Sequence, residues 1–386
     1  MKKYYIQLGN TPELSIQELN AVLTQKNVVQ VASHICRVSL ENDSVAKELI
    51  DRLGGSVKVI KEISKLEKTS PEEIVEQVVD YLAQKDDKKI HFGFSEYGRD
   101  HLPKINYFDI KSGLEKAGKS ARFVEGSRLG LSAAILIHKK RVVEIYIIQT
   151  ADGVFMGETL MAQNIDLWTL KDRGKPYFDK KKGMLPPKVA KMMLNIALGD
   201  NPRNEAKENL LLDPFVGTGT VIIEALLENL DVVGSDIDPL STQGTKQNLE
   251  WLKTEFKISN KSNVILSDAT KVPNFESEVD YIVTEPFLGK PKPNSSKLPF
   301  IYKGLEKLYL GAFKRWTKVL ANGASVVIVF PVVEFKTKND KRVEYNLDRL
   351  IDKLALLGYT TLSKPVLYHR PNAVVQRQIY RFRFNK

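Results

Sequence analysis

Two glycines that follow a short apolar run are the clearest chemical feature of this 386-residue chain. Leu210-Leu211-Leu212 predicts a buried strand, residues 213–219 (Asp-Pro-Phe-Val-Gly-Thr-Gly) predict a turn, and residues 220–227 predict a helix. Without a Cβ at 217 and 219 the turn can tighten and a ligand can approach the backbone. A strand, a glycine turn and a helix in this order are typical of sites for nucleotide-like ligands. A dinucleotide fingerprint would need a third glycine where Ile222 stands.

Acidic residues follow the next three predicted strands. Residues 232–236 end at Asp236, residues 264–267 lead to Asp268, and residues 279–283 lead through Thr284 to Glu285. The carboxyl ends of parallel strands meet at one edge of a sheet, where an acid can accept hydrogen bonds from a ribose diol. Asp238 can share or replace that role of Asp236. Any one of these acids could instead cap a helix or solvate a loop, but the ordered series favours ligand binding.

The Asp-Pro-Phe start with two glycines resembles the first motif of class I, S-adenosylmethionine-dependent methyltransferases that methylate amino groups. A second similarity lies upstream, in Arg173-Gly174-Lys175-Pro176 and in residues 182–195, which contain Pro186-Pro187. This stretch is similar to the segment before the first motif in THUMP-containing tRNA guanosine N2-methyltransferases, typified by enzymes that act at position 10. The resemblance covers most of the chain from about residue 85 onward.

The resemblance implies that S-adenosylmethionine is the cofactor and that the helix after Pro186-Pro187 covers it from the side opposite the glycine turn. It places Asp236 against the ribose and Asp268 against the adenine amino group. The complete set of implied cofactor-binding residues is Asp213, Pro214, Phe215, Gly217, Gly219, Asp236 and Asp268.

The loop after the fourth predicted strand carries the implied catalytic residues. In the family, an Asp or Asn side chain and the next carbonyl accept hydrogen bonds from the target amine, and an aromatic ring after Pro-Pro stacks on the flipped base. By position, Glu285 accepts from the amine, Pro286 offers its carbonyl and Phe287 stacks. The chain departs from the family in three ways. It has Glu in place of Asp or Asn, it has one proline in place of two, and Leu288 stands at the position that the family's aromatic residue would take when counted from the acid. The acceptor can therefore differ from guanine.

Basic residues concentrate in three stretches of the chain. Residues 101–141 hold nine Lys and Arg against three Asp and Glu, residues 171–191 hold eight against two, and residues 286–318 hold eight against one. The whole chain has a formal net charge of +11, so the remainder is net acidic. Such stretches predict a polyanionic partner such as nucleic acid.

The first 160 residues predict two small α/β regions. Residues 1–66 follow the order β-α-β-β-α-β, which is the ferredoxin-like arrangement. Residues 67–160 contain Phe92-Gly93-Phe94-Ser95 and Arg122-Phe123-Val124, and this region looks like a THUMP domain, a small RNA-binding module. A generic α/β domain with a polar surface is the alternative.

Composition predicts a cytoplasmic protein. No apolar run reaches the roughly 18 residues that span a bilayer, and the start of the chain lacks the apolar stretch of a signal peptide. The single cysteine, Cys36, excludes an internal disulfide, and no Cys/His cluster predicts a metal site.

The sequence thus predicts an α/β protein in four parts: a ferredoxin-like domain (1–66), a THUMP-like domain (67–160), a basic linker (161–185) and a Rossmann-like class I methyltransferase domain (186–386). The last is expected to hold a mostly parallel seven-stranded sheet with a C-terminal antiparallel hairpin. The predicted reaction is methylation of the exocyclic N2 amine of a guanosine in tRNA. Alternatives are an amino-methyltransferase acting on ribosomal RNA or DNA, and a non-catalytic RNA-binding protein. Relatives in eukaryotes use a small activator subunit, which this sequence does not indicate.

Overall fold

The chain divides into two compact units, Met1–Leu167 and Trp168–Lys386, and each described hydrophobic cluster lies within one of them. The computed structural model describes residues 1–23, 28–98, 105–127, 130–139, 141–179, 184–199, 209–336, 342–369 and 373–386. Part of the predicted basic linker, residues 180–183, lies outside this range, as do residues 101–104, 128–129 and 140 of the basic stretch at 101–141.

The first unit alternates strands and helices. Its elements are β1 Lys2–Leu8, α1 Pro12–Leu23, β2 Val28–Ala32, β3 Ile35–Leu40, α2 Asp43–Arg52, β4 Ser56–Leu66, α3 Pro71–Ala83, β5 Lys89–Tyr97, α4 Tyr107–Lys116, β6 Ser120–Phe123, α5 Ala133–His138, β7 Val142–Thr150 and β8 Gly153–Ala162. Strand β8 is absent from the sequence prediction. It forms a hairpin with β7 that turns at Gly153, whose φ of 132° only glycine adopts readily.

The eight strands of the first unit form one sheet in the order β2-β3-β1-β4-β8-β7-β5-β6. The first six elements follow the order β-α-β-β-α-β, and their four strands are all paired antiparallel. Strand β4 continues the sheet by pairing antiparallel with β8. The division into a ferredoxin-like domain at 1–66 and a THUMP-like domain at 67–160 stays a prediction, since the strands of both regions share this sheet.

The second unit is built around a larger sheet. Its elements are α6 Ile165–Thr169, a π-helical turn Leu170–Gly174, α7 Pro187–Leu198, β9 Leu210–Asp213, α8 Thr220–Leu227, β10 Asp231–Asp236, α9 Pro239–Phe256, β11 Ser262–Leu266, β12 Val279–Thr284, a 3-10 turn Ser295–Lys297, α10 Leu298–Trp316, β13 Leu320–Lys336, β14 Arg342–Tyr345, α11 Asp348–Ala355, β15 Tyr359–Thr361, β16 Val366–Tyr368 and β17 Val375–Phe384. Helix α6 begins just before the boundary between the units.

The main path of this sheet runs β11-β10-β9-β12-β13-β17-β15. Strands β11, β10, β9, β12 and β13 are parallel, whereas β17 runs antiparallel to both β13 and β15. The prediction of seven strands is wrong by two, because β14 pairs with β13 and β16 pairs with β17. Residues 362–365 separate β15 from β16, and Pro365 in this segment has no N–H to donate to a neighbouring strand.

Helix α10 covers one face of this sheet. Its buried side chains recur at helical spacing, and they are Leu298, Tyr302, Leu305, Tyr309, Ala312, Phe313 and Trp316. They join the core of the unit together with residues of β12, β13 and β17. This packing fixes the loop between β12 and α10 beside the carboxyl edge of the parallel strands, where the predicted site residues lie.

Candidate methyltransferase site at the carboxyl edge of the parallel sheet

The glycine turn between β9 and α8 is tight and lacks side chains where the backbone bends. Gly217 and Gly219 have φ values of 52° and 80°, in the left-handed region that favours glycine. The N–H of Gly219 donates to the Val216 carbonyl at 2.7 Å, which closes the turn just before α8 begins. A Cβ at 219 would stand 2.9 Å from Cγ2 of Thr245, whereas a Cβ at 217 would have only the Phe215 carbonyl oxygen near it, at 3.9 Å. The backbone around Gly217 is therefore open to a ligand.

Asp236 ties the tip of β10 to the glycine turn. Its Oδ2 accepts from the Gly217 N–H at 3.0 Å, and its Oδ1 accepts from the Asp238 N–H at 2.9 Å. Each carboxylate oxygen has a further lone pair for a ligand hydroxyl. Asp238 instead caps α9 through the backbone N–H groups of Leu240 and Ser241. The structure thus gives Asp238 a capping role and leaves Asp236 at the turn.

Asp268 lies at the tip of the neighbouring strand. Its Oδ1 accepts from both the N–H and the Oγ1 of Thr270, each at 2.8 Å. In the parallel pairing of β10 with β11, Asp236 stands opposite Leu266. Leu266 is 61% exposed and Ile237 is 71% exposed, so apolar side chains stand uncovered at both strand tips. Apolar walls beside a few fixed polar groups suit the adenine ring and ribose of S-adenosylmethionine.

Asp213 joins the turn to the predicted catalytic loop. Its Oδ1 accepts from Oγ1 of Thr284 at 2.6 Å and from the Phe215 N–H at 3.2 Å. Burial raises the pKa of its carboxyl from 3.8 to about 7, and the nearby carboxylates of Asp236 and Glu285 add to this rise, while the two donated hydrogen bonds oppose it. At neutral pH the protonated and ionised forms of Asp213 are both populated. A cationic ligand nearby would favour the ionised form.

Glu285 directly follows β12 and is held by an ion pair. Its Oε1 accepts from Nε of Arg377, which lies in β17, and both side chains are largely buried. Pro286, the next residue, is also buried. Sequence reasoning missed Arg377, since it stands 92 positions from Glu285 and one arginine in a strand carries no signal of its partner.

The structure distinguishes between the two candidates for the stacking residue. Phe287 is 60% exposed, whereas Leu288 packs against the core. The Phe287 carbonyl accepts from the hydroxyl of Tyr309 at 2.6 Å, so the backbone of the loop is anchored to α10. The aromatic ring therefore stands outside the core, beside Glu285 in the chain, and it is the side chain available to a flat ligand.

The segment before α7 also reaches the glycine turn. The Nδ2 of Asn248 donates to the carbonyls of Thr218 at 2.8 Å and Tyr177 at 3.1 Å, and its Oδ1 accepts from the Tyr177 N–H. The ring of Tyr177 lies over Gly244 of α9, where a Cβ would clash with it. Sequence reasoning missed Asn248, although a polar residue at the buried helical spacing of Thr245 and Leu252 is a signal for a buried hydrogen bond.

Buried lysines hold the same segment against α8. Lys171 donates to Glu224 at 2.8 Å and lies 3.6 Å from the centre of the Trp168 ring. Lys175 donates to Oγ1 of Thr220 at 3.2 Å, at the first residue of α8. Burial lowers the pKa of Lys171, and Glu224 opposes this by stabilising the charged ammonium. Trp168, Lys171 and Lys175 are therefore buried parts of the second unit.

Helix α7 is buried along almost its whole length and packs against α8 and strands β12 and β13. Its implied role as a cover for the cofactor stays a prediction. Among the described residues, no helix is long and apolar enough to cross a membrane, and no three His, Cys, Asp or Glu side chains are grouped as metal ligands would be.

Comparisons with known proteins agree with this geometry. Residues 177–334 match the model of the UPF0020 family, described as an RMKL-like methyltransferase domain. A tRNA (guanine(10)-N2)-dimethyltransferase of Methanocaldococcus jannaschii is 27% identical over 312 residues, which cover 74% of this chain and 82% of the relative. The enzyme of the same name from Methanothermobacter thermautotrophicus is 33% identical over 161 residues, and this match spans only 41% of either chain.

Solved structures show the same fold at low identity. TrmN from Thermus thermophilus aligns over the full length of both chains with a TM-score of 0.58 and 16% identity. SMU.472, a putative methyltransferase complexed with SAH, aligns over 100% of this chain and 99% of its own with a TM-score of 0.53 and 14% identity. The predicted cofactor is thereby confirmed. Residues 177–334 therefore carry a methyltransferase domain, the chain has the Rossmann-like class I fold, and S-adenosylmethionine is the cofactor.

Proposed function

We propose that this protein methylates the exocyclic N2 amine of a guanosine in tRNA. The observation that carries the proposal is the loop after β12, where a carboxylate, a buried proline and an exposed aromatic ring follow one another beside Asp213. Relatives named tRNA (guanine(10)-N2)-dimethyltransferase support tRNA as the acceptor. The basic stretches of the chain support a polyanionic substrate.

The chemistry of the acceptor explains why this loop is suitable. The cofactor supplies an electrophilic methyl group, so the protein has mainly to place the amine in line with it. An exocyclic amine on guanine is a poor nucleophile, because its lone pair is delocalised into the ring. Acceptors at its N–H bonds favour the tetrahedral nitrogen that forms as the new C–N bond is made.

The chain supplies these acceptors in a fixed arrangement. Since Arg377 occupies Oε1 of Glu285, Oε2 remains to accept from the amine, and the Pro286 carbonyl is the second acceptor. Phe287 stacks on the flipped base, which pays part of the cost of extruding it. Asp213, Gly217, Gly219, Asp236 and Asp268 hold the cofactor, with Pro214 and Phe215 in the same turn.

The test is nucleoside mass spectrometry on unmodified tRNA incubated with the protein and S-adenosylmethionine. We expect N2-methylguanosine, and the relatives' names make N2,N2-dimethylguanosine the second product to quantify. Glu285→Ala is expected to lower the rate at least about 100-fold, as loss of a transition-state acceptor does, and to leave cofactor binding unchanged. An unmodified tRNA after incubation, with both ligands bound, would contradict the proposal and favour a non-catalytic RNA-binding protein.

A polynucleotide other than tRNA is the second candidate. One relative, the Type II methyltransferase M.MvaI of Kocuria varians, is 40% identical over 63 residues, although these cover only 13% of that protein. Ribosomal RNA and DNA are therefore included as acceptors in the same assay. Methylation of either in preference to tRNA would assign the same chemistry to a different substrate.

A further inference from the structure

The solvent-facing side of α10 carries an aromatic ring followed by lysines. Phe300 is 79% exposed, and Lys303, Lys307 and Lys314 are exposed on the same side of the helix. At 100° per residue these four positions fall within about 60° of one another, opposite the buried side of α10. They extend along about 21 Å of the helix. We call them the α10 stripe.

The lysines of the α10 stripe have no ion-pair partner among the described residues. The only acid of residues 286–318, Glu306, is ion-paired with Lys353 of α11. Solvated lysines are ordinary on a protein surface, but a large apolar ring at the end of the row is not needed for solubility. A stacking platform beside a row of cations is the composition of single-strand binding surfaces.

Helix α10, which carries the stripe, contacts the loop after β12 through residues outside the α10 stripe. The hydroxyl of Tyr309 in α10 holds the Phe287 carbonyl at 2.6 Å. Gly289 lies against Ile301 and Leu305, the first turns of the same helix. A nucleotide placed at Phe287 would therefore have its neighbours in the strand close to the start of α10.

We infer that the α10 stripe binds the single-stranded segment of the nucleic acid that flanks the target nucleotide. Phe300 stacks on a flanking base, and the lysines contact the phosphates that follow it. An aromatic ring stacks on any base, so this surface contributes affinity and position rather than sequence choice. The inference rests on the proposed function in so far as the acceptor is a polynucleotide.

Salt dependence of binding tests the lysines. The probes are a single-stranded RNA of about 12 nucleotides and an unmodified tRNA transcript, each titrated at several salt concentrations. A plot of log K against log salt has a negative slope. Each of Lys303→Gln and Lys307→Gln is expected to make this slope shallower by about 0.7, the value for one phosphate contact on a single strand. Lys246→Gln, an exposed lysine of α9, is the matched control and is expected to keep the wild-type slope.

Stacking is tested separately. Phe300→Ala is expected to weaken binding of the 12-nucleotide RNA on the order of 10-fold, and Phe300→Tyr is expected to restore it, because both rings stack. The salt slope of Phe300→Ala should equal that of the wild type, since no charge is removed. Unchanged affinity for S-adenosylmethionine shows that each variant is folded.

The outcomes separate this inference from the proposed function. Slopes and affinities of the α10 stripe variants equal to those of the wild type and of Lys246→Gln would overturn the inference, even if tRNA is methylated. Stripe-dependent RNA binding without methylation of any acceptor would support the inference and contradict the proposed function. If the variants lose only the binding of an acidic protein, the surface serves a different partner and the inference is wrong.

Discussion

The carboxylate of Glu285 has to serve both the fold and the reaction that we propose. Its ion pair with Arg377 fixes the position of Oε1. The side chain of Glu is one methylene longer than the Asp or Asn of the family that the chain resembles, and it spans the distance from the loop to strand β17. An arginine is suited to this task because its planar group stays charged and holds a carboxylate in one orientation. Arg377 is therefore a positioning residue that acts through Glu285.

Removing the guanidinium should lower turnover without weakening cofactor binding. Arg377→Met leaves Glu285 unpaired and free to rotate, and a misplacement of about 1 Å can cost on the order of 100-fold in kcat. Arg377→Lys keeps the charge and should recover part of this loss. Steady-state kinetics with tRNA and calorimetry with S-adenosylmethionine measure the two effects.

Arg383→Met, a partly buried arginine of the same strand, is the control for loss of packing. Should Arg377→Met turn over at the wild-type rate while Glu285→Ala does not, Glu285 needs no positioning. If Arg377→Met and Glu285→Ala both had the wild-type rate, the loop after β12 would have no part in the reaction.

Asp213 should make stability depend on pH. In the folded chain its carboxyl keeps its proton up to a pKa of about 7, whereas in the unfolded chain it loses the proton near pH 4. Between these values the native state binds more protons, so the free energy of unfolding falls as pH rises, by at most about 1.4 kcal/mol per pH unit.

Asp213→Asn removes this dependence and can still accept from Thr284 and the Phe215 N–H. The Tm of the variant minus that of the wild type should therefore grow from pH 5 to pH 7 and level off above it. Thermal unfolding across this pH range measures the difference in Tm. The control is Asp231→Asn, because Asp231 is the first residue of β10 and lies at the other end of that strand from Asp236. A difference that stays constant with pH would show that the Asp213 carboxyl does not titrate in this window.

At the scale of elements, the turn between β9 and α8 requires a glycine at position 219, whereas α10 does not require the glycine at position 304. Gly219 adopts a left-handed φ and its missing Cβ leaves room for Thr245, so the turn requires glycine. Gly304 lies inside a regular helix with nothing within 4 Å of its missing Cβ, so the helix does not need it. Gly219 is therefore needed for the geometry of the site, whereas Gly304 only lowers the stability of a helix.

Substitution by alanine should change stability in opposite directions at these positions. Gly219→Ala is expected to destabilise the protein by about 1–2 kcal/mol from backbone strain alone, with a further loss from the contact with Thr245. Gly304→Ala is expected to stabilise it by roughly 0.5–1 kcal/mol. Thr245→Ser in the Gly219→Ala background should recover only the contact part, since Ser lacks Cγ2 but keeps the hydroxyl that donates to the Gly217 carbonyl.

Thermal unfolding and S-adenosylmethionine affinity are measured for all of these variants. Cofactor affinity should fall for Gly219→Ala and stay unchanged for Gly304→Ala. Equal Tm values for Gly219→Ala and the wild type would mean that the turn relaxes without strain.

At the scale of the whole molecule, we expect the first compact unit to contribute to tRNA affinity and the second to hold the reaction site. Every residue proposed to hold the cofactor or the amine lies in the unit Trp168–Lys386, which has its own core. The basic stretch at 101–141 lies in the other unit. We expect that stretch to contribute to the affinity for tRNA, as the THUMP-like prediction requires.

A fragment from Asn164 to Lys386 tests this division. The cut falls after β8 and keeps Trp168 beneath Lys171. The fragment should bind S-adenosylmethionine within about threefold of the full chain, which is less than 1 kcal/mol, and should bind tRNA much more weakly. Calorimetry and a gel-shift titration measure the two affinities. Full tRNA affinity in the fragment would contradict an RNA-binding role for residues 67–160.

The sequence by itself determined the local parts of this protein. Helix α8 lies at the predicted residues 220–227, and strands β10 and β12 begin within one residue of their predicted starts. Hydrophobic periodicity and a glycine turn are properties of neighbouring residues, so they can be read without knowing the fold. The same local signals place the proposed cofactor-binding residues at the ends of successive strands.

Only the tertiary structure decided which distant residues complete the site. Arg377 reaches Glu285 because β17 inserts into the sheet next to β13, and no local pattern specifies that pairing. The loop after β12 has no regular period, so the outward position of Phe287 and the inward position of Leu288 depend on the packing against α10. Contacts between segments far apart in the chain are set by the packing of the whole core, and a single sequence does not display them.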